Sequence, residues 1–130
     1  MQKLIYIFPG LFCCFLFSNC SDFGSREYEI SPEDSISFKN NVKPVFKSNC
    51  IKCHGSSGGL NLSSYADLMA GNSNHGPVVL SGQGSESIII LKLRGKANFG
   101  DRMPKPPAPA LTESTVDLIE SWINEGALNN

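Results

Sequence analysis

The residues Cys50-Ile51-Lys52-Cys53-His54 have the types and the spacing with the clearest chemistry in this sequence. In a C-x-x-C-H motif, each thiol can add to a vinyl group of haem, and the histidine that follows can bind the iron as an axial ligand. The motif therefore predicts one covalently attached haem c, held by Cys50 and Cys53 and ligated by His54. A redox-active or zinc-binding cysteine pair is the alternative, but the other histidine, His75, does not complete a zinc-finger spacing.

Haem iron that only carries electrons needs a second axial ligand, and three side chains are candidates. Met103 is the best of them, because the prolines of the segment Asp101–Pro107 restrict the loop that would present its sulfur. Met69 lies in a helical pattern and is expected in the core. His75 lies in a polar loop and is the second choice. Ligation by Met and His raises the reduction potential, whereas two histidines would leave it lower.

The N-terminal segment predicts export. Residues 1–19 contain the apolar run Leu4–Phe17, which is shorter than the roughly 20 residues of a membrane-spanning helix and is typical of a signal peptide. The residues before Cys20 resemble a relaxed lipobox. We therefore expect a lipid on Cys20 that anchors the protein to a membrane, with ordinary secretion as the alternative.

The mature chain is long enough for one domain. Residues 20–34 are polar and are expected to form the lipidated N-terminus and a flexible tether, and residues 35–130 the domain itself, at the cell envelope, facing the periplasm or the cell surface. No cysteine is left for a structural disulfide once Cys13 and Cys14 leave with the signal peptide. A covalent haem would then supply the apolar centre that a small secreted domain needs.

The domain is expected to be all-α, a small arrangement of short helices and long loops wrapped around one covalent haem. The residues Ser31–Asp34 are typical of a helix start, and Pro44 predicts a kink or a new start near Lys43. Further helices are predicted over Tyr65–Ala70, from Ser85 or Ser87 to Gly95, and from Thr112 to Gly126.

Three residues outside the predicted helices are expected to contact the haem. Leu60 and Leu62 follow the motif and a glycine-rich loop, and Pro77 lies in the loop after His75. Apolar side chains at these positions can pack against the porphyrin.

Charge is distributed unevenly. Between Lys43 and Lys105 the chain has eight bases and three acids, a net charge of +5, whereas residues 106–130 have four acids and no base. Haem propionates are anionic, so Arg94 and Arg102 are candidates to bind them. The basic segment can also attract an acidic redox partner protein, with a solvated surface as the alternative. Nucleic acid is not expected as a partner in this compartment.

Together these residues give the chain a family resemblance. It resembles class I-type cytochromes c and, more closely, the bacterial planctomycete-type cytochrome c domain, over about residues 35–128. The segments that carry the resemblance are Val42–Phe46, Cys50–Gly55, Gly59–Leu62, Gly76–Gly82 with Ser87, Met103-Pro104 and Trp122–Ala127.

The resemblance implies roles for individual residues. The two motif cysteines would form the thioethers, His54 would be the proximal ligand and Met103 the distal ligand. The first and last helices would cross near the haem, with Phe46 toward Trp122.

Three functions fit the sequence. The first is a mono-haem electron carrier, in which the protein sets the potential and needs no catalytic group. The second is a haem-based sensor or peroxidase-like module with an open distal site. The third is a binding module whose haem is mainly structural. An electron carrier is expected rather than a catalyst, and Met103 distinguishes the first two functions, because a bound thioether closes the iron to small ligands.

Overall fold

The computed structural model describes residues 35–55 and 60–130, and in these residues the fold is mainly helical. The predicted signal peptide, the lipid site at Cys20 and the tether lie outside the described residues. The described helices are α1 (Lys43–Asn49), α2 (Ile51–His54), α3 (Tyr65–Ala70), α4 (Ile88–Leu93) and α5 (Glu113–Asn124).

Two further elements complete the described fold. A π-helical turn, Phe38–Val42, precedes α1, and strands β1 (Asn72–Ser73) and β2 (Gly76–Pro77) form a short antiparallel pair. The predicted helical class is confirmed for the main elements, and the β pair is an addition to it. None of the helices in the two described ranges is long and apolar enough to cross a membrane.

The first helical segment changes type at Pro44. Ser37 caps the π-helical turn, with its hydroxyl accepting a hydrogen bond of 3.1 Å from the backbone N–H of Asn40. Pro44 then lies in the first turn of α1, where a missing N–H costs nothing. The predicted new start near Lys43 is therefore confirmed, whereas Ser31–Asp34 lie outside the described residues.

The bounds of α3 and α5 follow from their caps. Ser64 and Thr112 each accept a hydrogen bond from a backbone N–H in the first turn of the helix that follows. Gly71 ends α3, and Gly126, with a φ of 101°, follows the end of α5 in a conformation that favours glycine. Both helices occupy the predicted positions.

The core is formed where α5 meets the other elements. Its apolar face, Val116, Ile119, Trp122 and Ile123, is buried. Two aromatic rings lie against Trp122, Phe38 at a centroid distance of 5.4 Å and Tyr65 at 6.5 Å. Phe46 is buried in α1 and belongs to the same core cluster as Trp122, and it also lines a cavity.

Polar contacts join α4 and its preceding loop to α5. Arg94, just after α4, pairs with Asp117 and, at 2.7 Å, with Glu120. The backbone N–H of Gly84 donates to Asn124 Oδ1 at 2.8 Å. A Cβ at Gly84 would lie 2.6 Å from Glu120 Cγ, so this approach requires a glycine.

The two ends of the described domain also meet. The backbone carbonyl of Asn130 accepts hydrogen bonds from the Ser37 hydroxyl at 2.9 Å and from the Lys39 N–H at 3.0 Å. The Asn130 side-chain oxygen accepts from the Phe38 N–H at 2.8 Å. These bonds join the start of the π-helical turn to the last residue of the sequence.

Candidate haem site

The C-x-x-C-H motif forms a short helix directly after α1. Cys50 precedes α2, and its carbonyl accepts hydrogen bonds from the N–H groups of Cys53 at 3.1 Å and of His54 at 2.9 Å. Residues three and four positions apart lie on the same side of a helix. The helical turn therefore places both thiols and the imidazole close together.

A cavity of about 420 Å³ lies beside this motif, within the range of about 300–1,000 Å³ typical of sites for small organic ligands. Its wall is mainly apolar, as expected for a site that binds a large aromatic group. The described residues that line it are Phe46, Cys50, His54, Leu60, Leu62, Ser73, Asn74, His75, Val78, Ile88, Ile89, Lys92, Leu93, Phe99 and Met103.

His54 has the properties of a ligand residue. Its Nδ1 is buried and has no hydrogen-bond partner among the described residues. A buried polar atom without a partner costs about 1–3 kcal/mol, so such a ring is expected to bind something. The imidazole in the cavity wall thus fits a haem iron.

The two cysteines differ in exposure. Cys50 lines the cavity and is half-buried, whereas Cys53 is exposed and both are free thiols. Burial, together with the neighbouring Cys53, raises the pKa of the Cys50 thiol to about 11. Cys50 is therefore a neutral thiol at ordinary pH, which suits an apolar wall that receives a porphyrin edge.

Two of the three candidate distal ligands line the same cavity as His54. Met103 is half-buried against the core, and its backbone N–H donates to the Lys92 carbonyl at 2.8 Å. His75 is exposed, and its ring stacks on that of Phe99 at 3.6 Å. Met69 packs against the core and is not among the lining residues. The structure thus brings Met103 and His75 to the site, and the choice between them stays a prediction.

A comparison with protein families identifies the part of the chain that builds this cavity. Residues 50–107 match the family described as Planctomycete cytochrome C. This match supports a planctomycete-type cytochrome c domain in that part of the chain. Apart from Phe46, every residue that lines the cavity lies within the matched range. Neither the curated proteins nor the solved structures gave a match.

The family match implies a covalently bound haem c, and the residues around the cavity fit it. The motif cysteines would hold the haem, and His54 would bind its iron. Leu60 and Leu62 line the cavity at the positions where porphyrin contacts are predicted. Pro77 does not line it, because it lies exposed in β2, where it pairs with Asn72 across the ladder.

The two arginines predicted to bind propionates do not line the cavity. Arg94 does not line the cavity, because its guanidinium is paired with Glu113, Asp117 and Glu120. Arg102 does not line it either, because its guanidinium donates to the carbonyls of Pro104 and Ala108, at 2.6 and 2.9 Å. A propionate contact by either side chain stays a prediction.

Sequence reasoning missed Lys92 and Phe99 as lining residues of the cavity. Lys92 lies four positions after Ile88, which also lines the cavity, so helical spacing along α4 contains a signal for it. Phe99 lies in an irregular segment, where no periodicity indicates which side chains turn inward. Its position is fixed by contacts with Lys92 and His75.

Proposed function

We propose that this protein is a mono-haem c-type cytochrome that transfers electrons. Cys50 and Cys53 are the thioether residues, His54 the proximal ligand and Met103 the distal ligand. The observation that carries the proposal is the cavity itself, because Cys50 and His54 of the motif and Met103 of the later loop line one largely apolar wall.

The largely apolar wall fits a haem that carries electrons. Haem supplies the one-electron chemistry, and the protein's contribution is ligand identity, burial and electrostatics. Leu60, Leu62 and Val78 provide apolar surface on which a porphyrin can pack. A thioether from Met103 would complete the ligands and raise the reduction potential.

Visible spectra of native protein and of Met103→Ala test the distal ligand. Native ferric protein should show a sulfur-to-iron band that Met103→Ala lacks, and native ferrous protein should not bind carbon monoxide. Met69→Ala is the matched control, because Met69 packs against the core away from the cavity lining. It should keep the band. A band that survives in Met103→Ala would refute this assignment.

A sensor or peroxidase-like function is the alternative, and one observation favours it. His75 lines the same cavity, is exposed and belongs to the short turn between β1 and β2. If neither Met103 nor His75 binds the iron, small ligands can reach it. Rapid binding of carbon monoxide by native protein would favour this function, and a spectrum altered only in His75→Ala would indicate two histidine ligands.

We also propose that an acidic redox partner docks near the motif. Lys43, Lys47 and Lys52 are exposed on α1 and α2, and none of them forms an ion pair within the described residues. Other bases are occupied, such as Arg94 and the Lys105–Asp101 pair. Oxidation of reduced protein by ferricyanide, an anionic probe, should slow as salt rises, and less so in a variant with all three lysines changed to Gln. A salt-independent rate would refute the electrostatic part of the proposal.

The cell-envelope location and the lipid on Cys20 remain part of the same proposal. They are supported by the apolar run in residues 1–19 and by the cysteine that follows it. Cys20→Ser should move the protein from the membrane fraction to the soluble fraction of the cell envelope. Mass spectrometry of the native N-terminal peptide should show the acyl group, and an unmodified Cys20 would refute lipidation.

A further inference from the structure

Lys92 is a lysine in the wall of an otherwise largely apolar cavity. It lies near the end of α4 and is half-buried, and it shares the cavity wall with Ile88 and Ile89 of the same helix. Lysines are rarely buried against apolar surface without a partner for the ammonium group. Its position therefore requires a partner.

The partners present leave the charge of Lys92 without compensation. Its Nζ donates one hydrogen bond, of 2.9 Å, to the Phe99 carbonyl and lies 5.0 Å from the centre of the Phe99 ring. An ammonium group has three donors. In the described ranges no carboxylate forms an ion pair with Lys92, although Arg94, two positions later, has three such partners.

The other bases in this part of the chain either have other partners or are exposed to solvent. Arg94 and Arg102 are engaged with carboxylates of α5 and with backbone carbonyls, respectively, and neither lines the cavity. Lys96 is exposed and is also absent from the lining. Lys92 is thus the one lysine or arginine among the described residues of the cavity wall.

We propose that Lys92 binds a haem propionate carboxylate. This inference rests on the proposed haem function, and it assigns to Lys92 the role that the sequence suggested for the two arginines. A carboxylate would take the free donors of the ammonium group in a charge-assisted hydrogen bond and compensate its charge. The bond to the Phe99 carbonyl would hold the Lys92 side chain in place for this contact.

The test compares three variants of the haem-loaded protein. Lys92→Gln removes the charge but keeps a donor for the Phe99 carbonyl, and Lys92→Arg keeps the charge. Lys96→Gln is the matched control, because it removes the same charge from an exposed position nearby. The propionate bending band in resonance Raman spectra and the reduction potential are measured for each.

Lys92→Gln should shift the propionate band and lower the reduction potential. An uncompensated carboxylate favours ferric iron, which carries one more positive charge than ferrous iron. Lys96→Gln should leave the propionate band unchanged. It should lower the reduction potential less than Lys92→Gln does, and high salt should remove this smaller change. Lys92→Arg should keep a potential near the native value, and it also provides the comparison if Lys92→Gln is unstable.

Different results would refute the proposed haem function and the role of Lys92. Native protein without covalent haem, by mass spectrometry, would refute the proposed function and this inference with it. Native protein with haem, but with equal spectra and potentials for Lys92→Gln and Lys96→Gln, would refute the role of Lys92 alone. A propionate band that shifts in Arg102→Gln instead would assign the contact to Arg102.

Discussion

Two regions of the molecule supply the proposed iron ligands in different ways. The motif region, α1 and α2, places His54 through regular helical hydrogen bonds to near neighbours such as Cys50. The loop region, residues 94–111 between α4 and α5, has no helix or strand and places Met103 through a bond to Lys92 of α4. The first arrangement depends on local sequence, and the second depends on how separate parts of the chain pack.

The difference indicates how easily a substitution can displace the ligand residue on each side of the site. A helical turn fixes the relative positions of its side chains as soon as it forms. A loop is fixed only by particular contacts, here those of Lys92 and of Arg102, so the loss of one contact can displace a ligand. Proximal attachment should therefore withstand changes that alter distal ligation.

The largest effect is expected from the motif itself. Cys50→Ser combined with Cys53→Ser should abolish covalent haem attachment, because a hydroxyl does not form the thioether. Haem-dependent peroxidase staining of denatured protein and its intact mass would measure the loss. Lys52→Ala, a change at an exposed position inside the motif, is the control and should retain haem. Haem that stays covalently bound to the double variant would contradict the assignment.

The next effect compares one aromatic ring from each region. Phe46 is 1% exposed, so Phe46→Ala should lower the free energy of unfolding by about 3–5 kcal/mol. Phe99 is half-buried, and Phe99→Ala should cost less, about 1–2 kcal/mol. Denaturant unfolding of the haem-loaded variants would measure both. A larger loss for Phe99→Ala would mean that the loop region carries more of the stability than its burial indicates.

A smaller and more local effect is expected when the loop region is loosened. Arg102→Gln removes charge-assisted bonds to the Pro104 and Ala108 carbonyls, so the sulfur-to-iron band should disappear at a lower temperature than in native protein. Arg94→Gln instead weakens the contact of α4 with α5. It should lower the global unfolding midpoint while the band persists until unfolding. Identical behaviour of Arg102→Gln and Arg94→Gln would contradict the distinction between local loosening of the loop region and global unfolding.

The smallest effect concerns the protein before haem attachment. The pKa of the Cys50 thiol is raised from 9.0 to about 11, so the folded state holds this proton more tightly than the unfolded chain. The protonated Cys50 thiol therefore makes its full contribution to the free energy of unfolding below about pH 9. This contribution is lost as the pH rises toward about 11. The unfolding midpoint of the unloaded protein should fall over this interval, and the fall should be absent in Cys50→Ser.

Local signals in the sequence predicted the parts of the fold that depend on near neighbours. Ser64 with Gly71 bounded α3, Thr112 bounded α5, and Pro44 marked the start of α1, because caps and prolines act within one helical turn. The C-x-x-C-H motif predicted the centre of the site for the same reason.

The parts that were missed depend on contacts between distant residues. The chemistry of Arg94 suits a propionate, but its acidic partners follow from the packing of α4 on α5, which no local pattern shows. The contact of Phe38 with Trp122 was not predicted, because it depends on how the π-helical turn packs on α5. In each case the residue type suggested a role, but the sequence did not show which residues would become its neighbours in the fold.

The hydrogen bonds between Asn130 and the start of the domain determine where a mechanical load enters the structure. A pull on the chain at Ser35 reaches the bonds of Ser37, Phe38 and Lys39 to Asn130 before it reaches α1. Glu125 adds a further bond to the Ile36 N–H at 2.7 Å. The load would therefore pass into the C-terminal end of the domain, and the haem motif would lie outside the path of the force.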